Sequence, residues 1–272
     1  MNSFNFESNL ELSDEYKTHP IFKQLDEYNS FYDSLSFSIM GFIKPGAVSI
    51  INLDSYVYSS IQGTLESINL TLKSGRINDA YALLRKLFDS TIINIYCNLY
   101  LEQEYTIETH AQNEINDWMK GNSRIPDYRV MTQYIYKSER LKPIMELLRN
   151  DDRYKKIRDR CNAHTHYNFF RYVLHNDNRI HLGNNIRENM LSVFSEDLKQ
   201  IYIQHLSYLF FLNGHYMMSS DYMDHLEMGM TPPEGSEKWV SPPIQDVFNN
   251  VIKSSRPDIA EVIKRHTSMD LS

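Results

Sequence analysis

Residues 77–99 read INDAYALLRKLFDSTIINIYCNL and contain neither glycine nor proline. Side chains that suit a protein core recur at spacings of three and four, so on a helix they would share one wide face. The stretch therefore predicts a long helix that buries one side. The residues on that side are Ile77, Ala80, Tyr81, Leu84, Leu87, Phe88, Thr91, Ile92, Ile95 and Leu99.

A second segment of the same kind precedes it, beginning near Asp54. Asp54 is expected to be the N-cap, because its carboxylate can accept from the free backbone N–H groups of a first turn. Gly75 is expected to end this helix in the left-handed conformation. Since only a short turn separates the two segments, they should form an antiparallel hairpin. The inward positions are Val57, Tyr58, Ile61, Leu65, Ile68 and Leu72.

Weaker periodicity predicts further helices in the rest of the chain. Pro143 suits a first helical turn, and Asp151 and Asp152 suit the start of a helix that follows them. Residues 175–185, HNDNRIHLGNN, predict a loop or a small hairpin. Few stretches alternate apolar and polar residues, so we expect an all-α fold, an antiparallel helical bundle. The further helices are expected within residues 106–119, 128–150 (in two pieces) and 186–213.

Glycine, proline and polar residues indicate how the chain is organised. Breaks before residue 50 predict an irregular, partly ordered N-terminal leader over residues 1–50. The helical bundle is expected over residues 51–215. The stretch MTPPEGSEKWVSPP within residues 216–272 predicts an exposed linker, followed by a C-terminal helical tail.

Composition narrows the class of protein. Of the 272 residues 42% are hydrophobic and the net charge is −7, which indicates a packed core and excludes a uniformly basic surface. Two cysteines, Cys97 and Cys161, have no metal-type spacing and suit a reducing compartment. Residues 1–17 have no basic start and no apolar block, so we expect a cytoplasmic protein without a membrane span. Phosphate-binding and dinucleotide-binding glycine patterns are missing, and no cofactor is expected.

Chemistry-bearing residues concentrate in RDRCNAHTHYN, residues 158–168. Arginine presents planar, permanently charged donors for a phosphate, and histidine exchanges a proton near neutral pH. Together they could take the proton from a ribose 2′-OH and stabilise the attacked phosphate without a metal. The basic side chains Arg153, Lys155 and Lys156 precede this pair and could attract RNA.

This stretch resembles the signature of HEPN domains, helical bundles of bacterial toxins and defence systems. Their signature is an arginine, four to six residues and a histidine, with a polar residue directly after the arginine; Arg158, Asp159 and His164 fit it. The resemblance covers about residues 54–213. It implies a metal-independent endoribonuclease whose two motifs face each other in a homodimer, in a toxin or antiphage setting, with a protein partner such as an antitoxin.

Alternatives remain at the same place in the sequence. Arg160 and His166 have the same spacing, and Asn162 lies between the pair, so these three residues are alternative or supporting site residues. Arg158 and His164 lie about 240° apart on a straight helix, so they converge only if the helix ends or bends near Asn162, or across a dimer. A histidine-based metal site is the rival chemistry. A non-catalytic module that binds protein or nucleotide is the rival function.

Overall fold

The structure, a computed structural model, describes residues 6–7, 12–40, 52–104, 114–176 and 181–272. The predicted all-α class is confirmed, because helices form nearly all the regular structure in these ranges. The named strands there, β1 (Phe6–Glu7) and β2 (His181–Leu182), have two residues each and pair antiparallel.

Thirteen α-helices lie in the described ranges, and a π-helical segment, Phe248–Lys253, continues the twelfth. They are α1 (Asp14–Lys17), α2 (Ile21–Met40), α3 (Leu53–Lys73), α4 (Ile77–Glu104), α5 (Glu114–Met119), α6 (Tyr128–Tyr136), α7 (Lys142–Leu148), α8 (Arg153–Thr165), α9 (Phe170–Leu174), α10 (Asn184–Leu212), α11 (Asp221–Glu227), α12 (Pro242–Val247) and α13 (Pro257–His266).

The predicted hairpin is α3 followed by α4. Gly75 has a φ of 73°, its N–H donates to the Leu72 carbonyl, and the next N–H donates to the Thr71 carbonyl. This pair of bonds is the Schellman arrangement, which favours glycine because a side chain is strained there. The prediction for Asp54 is wrong: Asn52 occupies the N-cap position, and Asp54 lies inside the first turn.

Some of the other helix predictions are confirmed, and others are confirmed only in part. Of the predicted helix at residues 106–119, residues 114–119 form α5, and residues 105–113 lie outside the described part. Pro143 lies in the first turn of α7, as predicted. Asp152 is at the N-cap of α8, but its carboxylate pairs with Lys156 at 2.7 Å and, among the described residues, makes no capping bond to the backbone.

The chain divides into two compact units. Unit 1 comprises residues 1–47, 52–91 and 152–201, and unit 2 comprises residues 48–51, 92–151 and 202–272. The domain boundaries that the sequence suggested, at residues 50 and 215, stay a prediction. Residues of the predicted leader nevertheless contribute to the core of unit 1, since Tyr16, Ile21 and Tyr32 are buried.

Two antiparallel helix pairs organise unit 1. The first pair is α2 with α3, where Ser36 donates to the Ser55 carbonyl at 3.0 Å and Asn69 donates to Asp26 at 2.7 Å. The second pair is α4 with α8. Every residue of the predicted site except His166 lies on α8, and α8 contacts both α4 and α10.

Unit 2 holds the later parts of α4 and α10, α5 to α7, and α11 to α13. His205 on α10 is buried, and its Nε2 lies 2.9 Å from the Asn94 side-chain oxygen on α4. Asn213 donates to the Asn98 side chain at 2.8 Å. The residue numbers of these two contacts increase along α4 and along α10, so the two helices run in the same direction there. None of the described helices is both long and apolar enough to span a membrane.

Candidate functional site

The α8 helix carries all of the predicted site residues except His166, and some of them contact α4. It continues without a break from Arg153 to Thr165, so it does not end at Asn162. Polar contacts to α4 include Arg158 with Asp89, Asn162 with Arg85, and His164 with Asn78. As the residue number increases along α8, the residue number of the partner on α4 decreases, so the two helices pack antiparallel.

Arg158 is part of an ionic cluster. Its Nη1 donates to Asp89 Oδ1 at 2.6 Å, and the Arg85 Nε donates to Asp89 Oδ2 at 3.1 Å. Arg85 also donates to the Asn162 side-chain oxygen. Burial raises the pKa of the Asp89 carboxyl, although the Arg85 charge acts to lower it. Two guanidinium groups thus share the Asp89 carboxylate.

His164 lies inside unit 1, with only 3% of its surface exposed. Its Nδ1 is 2.8 Å from Asn78 Oδ1, and Asn78 Nδ2 donates to the His164 carbonyl at 3.1 Å. Its ring stacks on Tyr81 at 3.9 Å between centroids and lies 4.2 Å from the Tyr172 ring. These contacts describe a histidine that fixes the end of α8 onto α4.

The protonation of His164 follows from this burial. Loss of solvent, together with the neighbouring His175 ring and the Arg160 charge, lowers its pKa to about 3. Burial and the Arg171 charge likewise lower the pKa of His175 to about 4. Both imidazoles are therefore neutral at pH 7, and their conjugate acids are too strong to match proton transfer near neutrality.

The structure does not bring Arg158 and His164 together within one chain. Their partners on α4, Asp89 and Asn78, are eleven residues apart, which is about 16 Å along the helix axis. A phosphate held by the Arg158 guanidinium would lie far from the His164 ring. The predicted catalytic role of this pair is thus not supported by intrachain geometry, and the pairing of two motifs across a dimer stays a prediction.

The remaining predicted site residues are dispersed. Asp159 is exposed and pairs with Lys155 at 2.7 Å. Arg160 points to α10, where its Nε lies 2.8 Å from the buried Asp197 carboxylate. Burial raises the pKa of Asp197 to about 6, and Arg160 opposes the rise. His166 is exposed at the C-cap of α8.

The predicted RNA-attracting strip carries little uncompensated charge. Lys155 and Lys156 each pair with an aspartate one turn away on α8 or at its start, both at 2.7 Å. Arg153 donates to the Gln200 side chain at 2.7 Å. RNA affinity depends on positive charge that phosphates can reach, and the nearby carboxylates reduce that charge. RNA binding by these three residues stays a prediction.

The rival metal site has little support. The His164 and His175 rings are 5.4 Å apart between centroids, but the described residues contain no cluster of three or more histidine, cysteine, aspartate or glutamate side chains suited to a metal ion.

An exposed aromatic surface follows α8 directly, which the sequence reasoning missed. We call it the aromatic surface: Tyr167, Phe169, Phe170, Arg171 and Val173, all exposed. Phe170 has 74% of its surface exposed. The Arg171 guanidinium lies 5.3 Å from the Phe169 ring centroid. The signal in the sequence was the run NFFRYV, whose exposure cannot be inferred from periodicity over so short a segment.

Tyr167 adopts a conformation that bulky residues avoid. Its φ is 49°, and the flanking bonds, from its own N–H to the His164 carbonyl and from Asn168 N–H to the Ala163 carbonyl, form a second Schellman arrangement. Glycine is the usual residue at this position. Tyr167 is therefore a strained, exposed residue at a position where glycine would relieve the strain.

Comparisons of this chain with protein-family models, with curated proteins and with solved structures gave no match.

Proposed function

We propose that this chain is a non-catalytic helical module that binds a protein through the aromatic surface. One contrast carries the proposal. Arg158 and His164 each contact a different residue of α4, whereas the adjacent side chains of Tyr167, Phe169 and Phe170 are exposed to solvent. Tyrosine, phenylalanine and arginine are the side chains that protein interfaces favour.

A protein suits this surface better than RNA. Residues 165–176 contain one arginine, Arg171, and no acidic residue, so the surface is only weakly positive. The chain as a whole carries a charge of −7. Strong RNA binding needs several phosphate contacts, each from a cationic side chain. Aromatic area with one cation is sufficient for a protein interface, whose centre is largely apolar.

Site-specific photo-cross-linking tests the proposal. A photoreactive phenylalanine analogue replaces Phe170 in the full chain, and in a control it replaces Leu70, which is 69% exposed on α3. We expect one discrete protein adduct from position 170 and none from position 70. Purified partner should then bind the wild-type chain and lose affinity for Phe169→Ser. Adducts with RNA alone, or equal adducts from both positions, contradict the proposal.

Ribonuclease activity is the second candidate, with the toxin or defence setting that the HEPN resemblance implies. One observation favours it: the packing of α8 on α4 brings the guanidinium groups of Arg85 and Arg158 to one carboxylate, and guanidinium groups bind phosphate. This candidate predicts RNA cleavage that survives chelator, leaves a 2′,3′-cyclic phosphate, and is lost in Arg158→Ala but kept in Lys23→Ala, at an exposed lysine of α2. Cleavage with that pattern would replace the binding proposal. The homodimer and the antitoxin-like partner are predictions of this candidate.

A further inference from the structure

The α11 helix turns its apolar side to solvent. Met223 and Leu226 are three residues apart and share one side of the helix, and Met230 follows the left-handed Gly229 just beyond its end. Within the described chain none of the residues of α11 is buried, and Met228 just beyond it is 63% exposed. An amphipathic helix in a folded protein normally directs this side to the core.

Backbone contacts anchor the segment that carries α11 at its base, which we define as residues 217–219 and 239–241. Met218 and Val240 form an antiparallel bridge, and the Ser219 N–H donates to the Trp239 carbonyl at 2.9 Å. The Ser241 N–H donates to the Met217 carbonyl at 3.0 Å. The position of α11 therefore depends on backbone contacts at the base and not on its exposed side chains, which can be exchanged without loss of the fold.

Acidic side chains surround the exposed apolar groups. Residues 217–240 hold five carboxylates and one lysine, a net charge of −4. Three of these carboxylates, Asp221, Asp224 and Glu227, are on α11 itself. Neither lysine nor arginine lies on α11, so a partner would supply the opposite charge. We call Met223, Leu226, Met228 and Met230 with these three carboxylates the acidic methionine surface.

The chemistry of this surface selects its partner. Methionine side chains are flexible and polarisable, so they adapt to apolar groups of varied shape. The carboxylates repel RNA and the anionic lipids of a membrane, and they attract lysine and arginine. We infer that the acidic methionine surface binds a partner protein through an amphipathic helix that carries basic residues beside an apolar stripe. This inference concerns a different surface from the aromatic one and does not depend on the proposed function.

A peptide titration of the full chain tests the inference. Trp239 is exposed at the base of the segment and reports binding by its fluorescence in a Trp118→Phe background. The probe is a synthetic helical peptide with leucine on one side and lysine on the other. We expect saturable binding that weakens with salt, at least about tenfold tighter than for a scrambled peptide of the same composition or a leucine–glutamate peptide.

Variants assign the binding to this surface. Met223→Ser combined with Leu226→Ser should weaken binding at least about tenfold, and Asp224→Asn should weaken it and reduce its salt dependence. Leu70→Ser, at an exposed apolar residue on α3, should change nothing, and circular dichroism should be unchanged in every variant. Equal binding of the scrambled peptide, equal loss in Leu70→Ser, no saturable binding, or preference for phosphatidylcholine vesicles overturns the inference.

Discussion

His164 and Asn78 contact each other twice, although 86 residues separate them in the chain. The imidazole Nδ1 lies 2.8 Å from Asn78 Oδ1, and the Asn78 amide donates to the His164 carbonyl at 3.1 Å. One asparagine thus holds both the ring and the backbone at the end of α8. A histidine fixed in this way orients a helix; proton exchange with a substrate would require it to leave these contacts.

Removing this pair should cost stability. His164→Ala leaves a cavity beside Tyr81 and an unsatisfied Asn78 side chain, so we expect a loss of about 3 kcal/mol in the free energy of unfolding. Asn78→Ala should cost less. In a double-mutant cycle measured by urea unfolding, the two changes should be non-additive by at least about 1 kcal/mol. Strict additivity would mean that the contact contributes nothing.

Stability should fall as the pH drops from 7 to 5. Burial lowers the pKa values of His164 and His205 to about 3 and that of His175 to about 4, so the unfolded chain binds three protons in this interval that the folded chain does not. Asp197 acts in the opposite sense below pH 6, because burial raises its pKa to about 6 and the folded chain binds its proton first.

For these four groups the net difference is about two protons, which corresponds to about 2.7 kcal/mol per pH unit near pH 5. His164→Gln should reduce this slope by about one proton, or about 1.4 kcal/mol per pH unit. Urea unfolding at several pH values measures both slopes. A stability that is constant from pH 7 to 5 in the wild-type chain contradicts the burial of these rings as neutral species.

Two of the aspartates that pair with basic residues of α8, Asp89 and Asp159, should differ in their contribution to stability. Asp89→Asn removes the charge that separates Arg85 from Arg158 in a half-buried cluster, so we expect a loss of about 1–2 kcal/mol in unfolding free energy. Asp159→Asn is the matched control, because its pair with Lys155 is exposed and should contribute less than about 0.5 kcal/mol. Equal losses of unfolding free energy in Asp89→Asn and Asp159→Asn would contradict this prediction.

Tyr167→Gly should stabilise the fold and weaken partner binding. Glycine adopts a φ of 49° without strain, and the expected gain is about 0.5–1 kcal/mol in unfolding free energy. His166→Gly, at the preceding residue with a φ of −103°, should instead destabilise by a similar amount. A loss of stability in Tyr167→Gly would show that the tyrosine is kept for packing.

The sequence predicts the helices well where their apolar pattern is long. The hairpin of α3 and α4 and the left-handed Gly75 follow from spacing and from the conformational freedom of glycine. The N-cap was misassigned because Asn52 and Asp54 are both good capping residues, and only the backbone path decides between them. The short α11 has no core contact to impose a pattern.

The site was less predictable than the fold, for a physical reason. Spacing on α8 places Arg158 and His164 on different sides of a helix, but it cannot show which residues of other elements meet them. Asp89 and Asn78 belong to α4, and nothing near residue 164 in the sequence indicates them. Depressed histidine pKa values likewise arise from burial by distant residues.

The most direct test of the account is the protonation of His164 itself. In an NMR titration of the full chain, the His164 ring resonances are assigned by comparison with His164→Gln and followed from pH 7.5 to 5, with added free imidazole as the pH reference. We predict that the His164 signals do not move over this range, with or without added RNA. A His164 that titrates near neutral pH, or that shifts when RNA is added, would contradict its structural role.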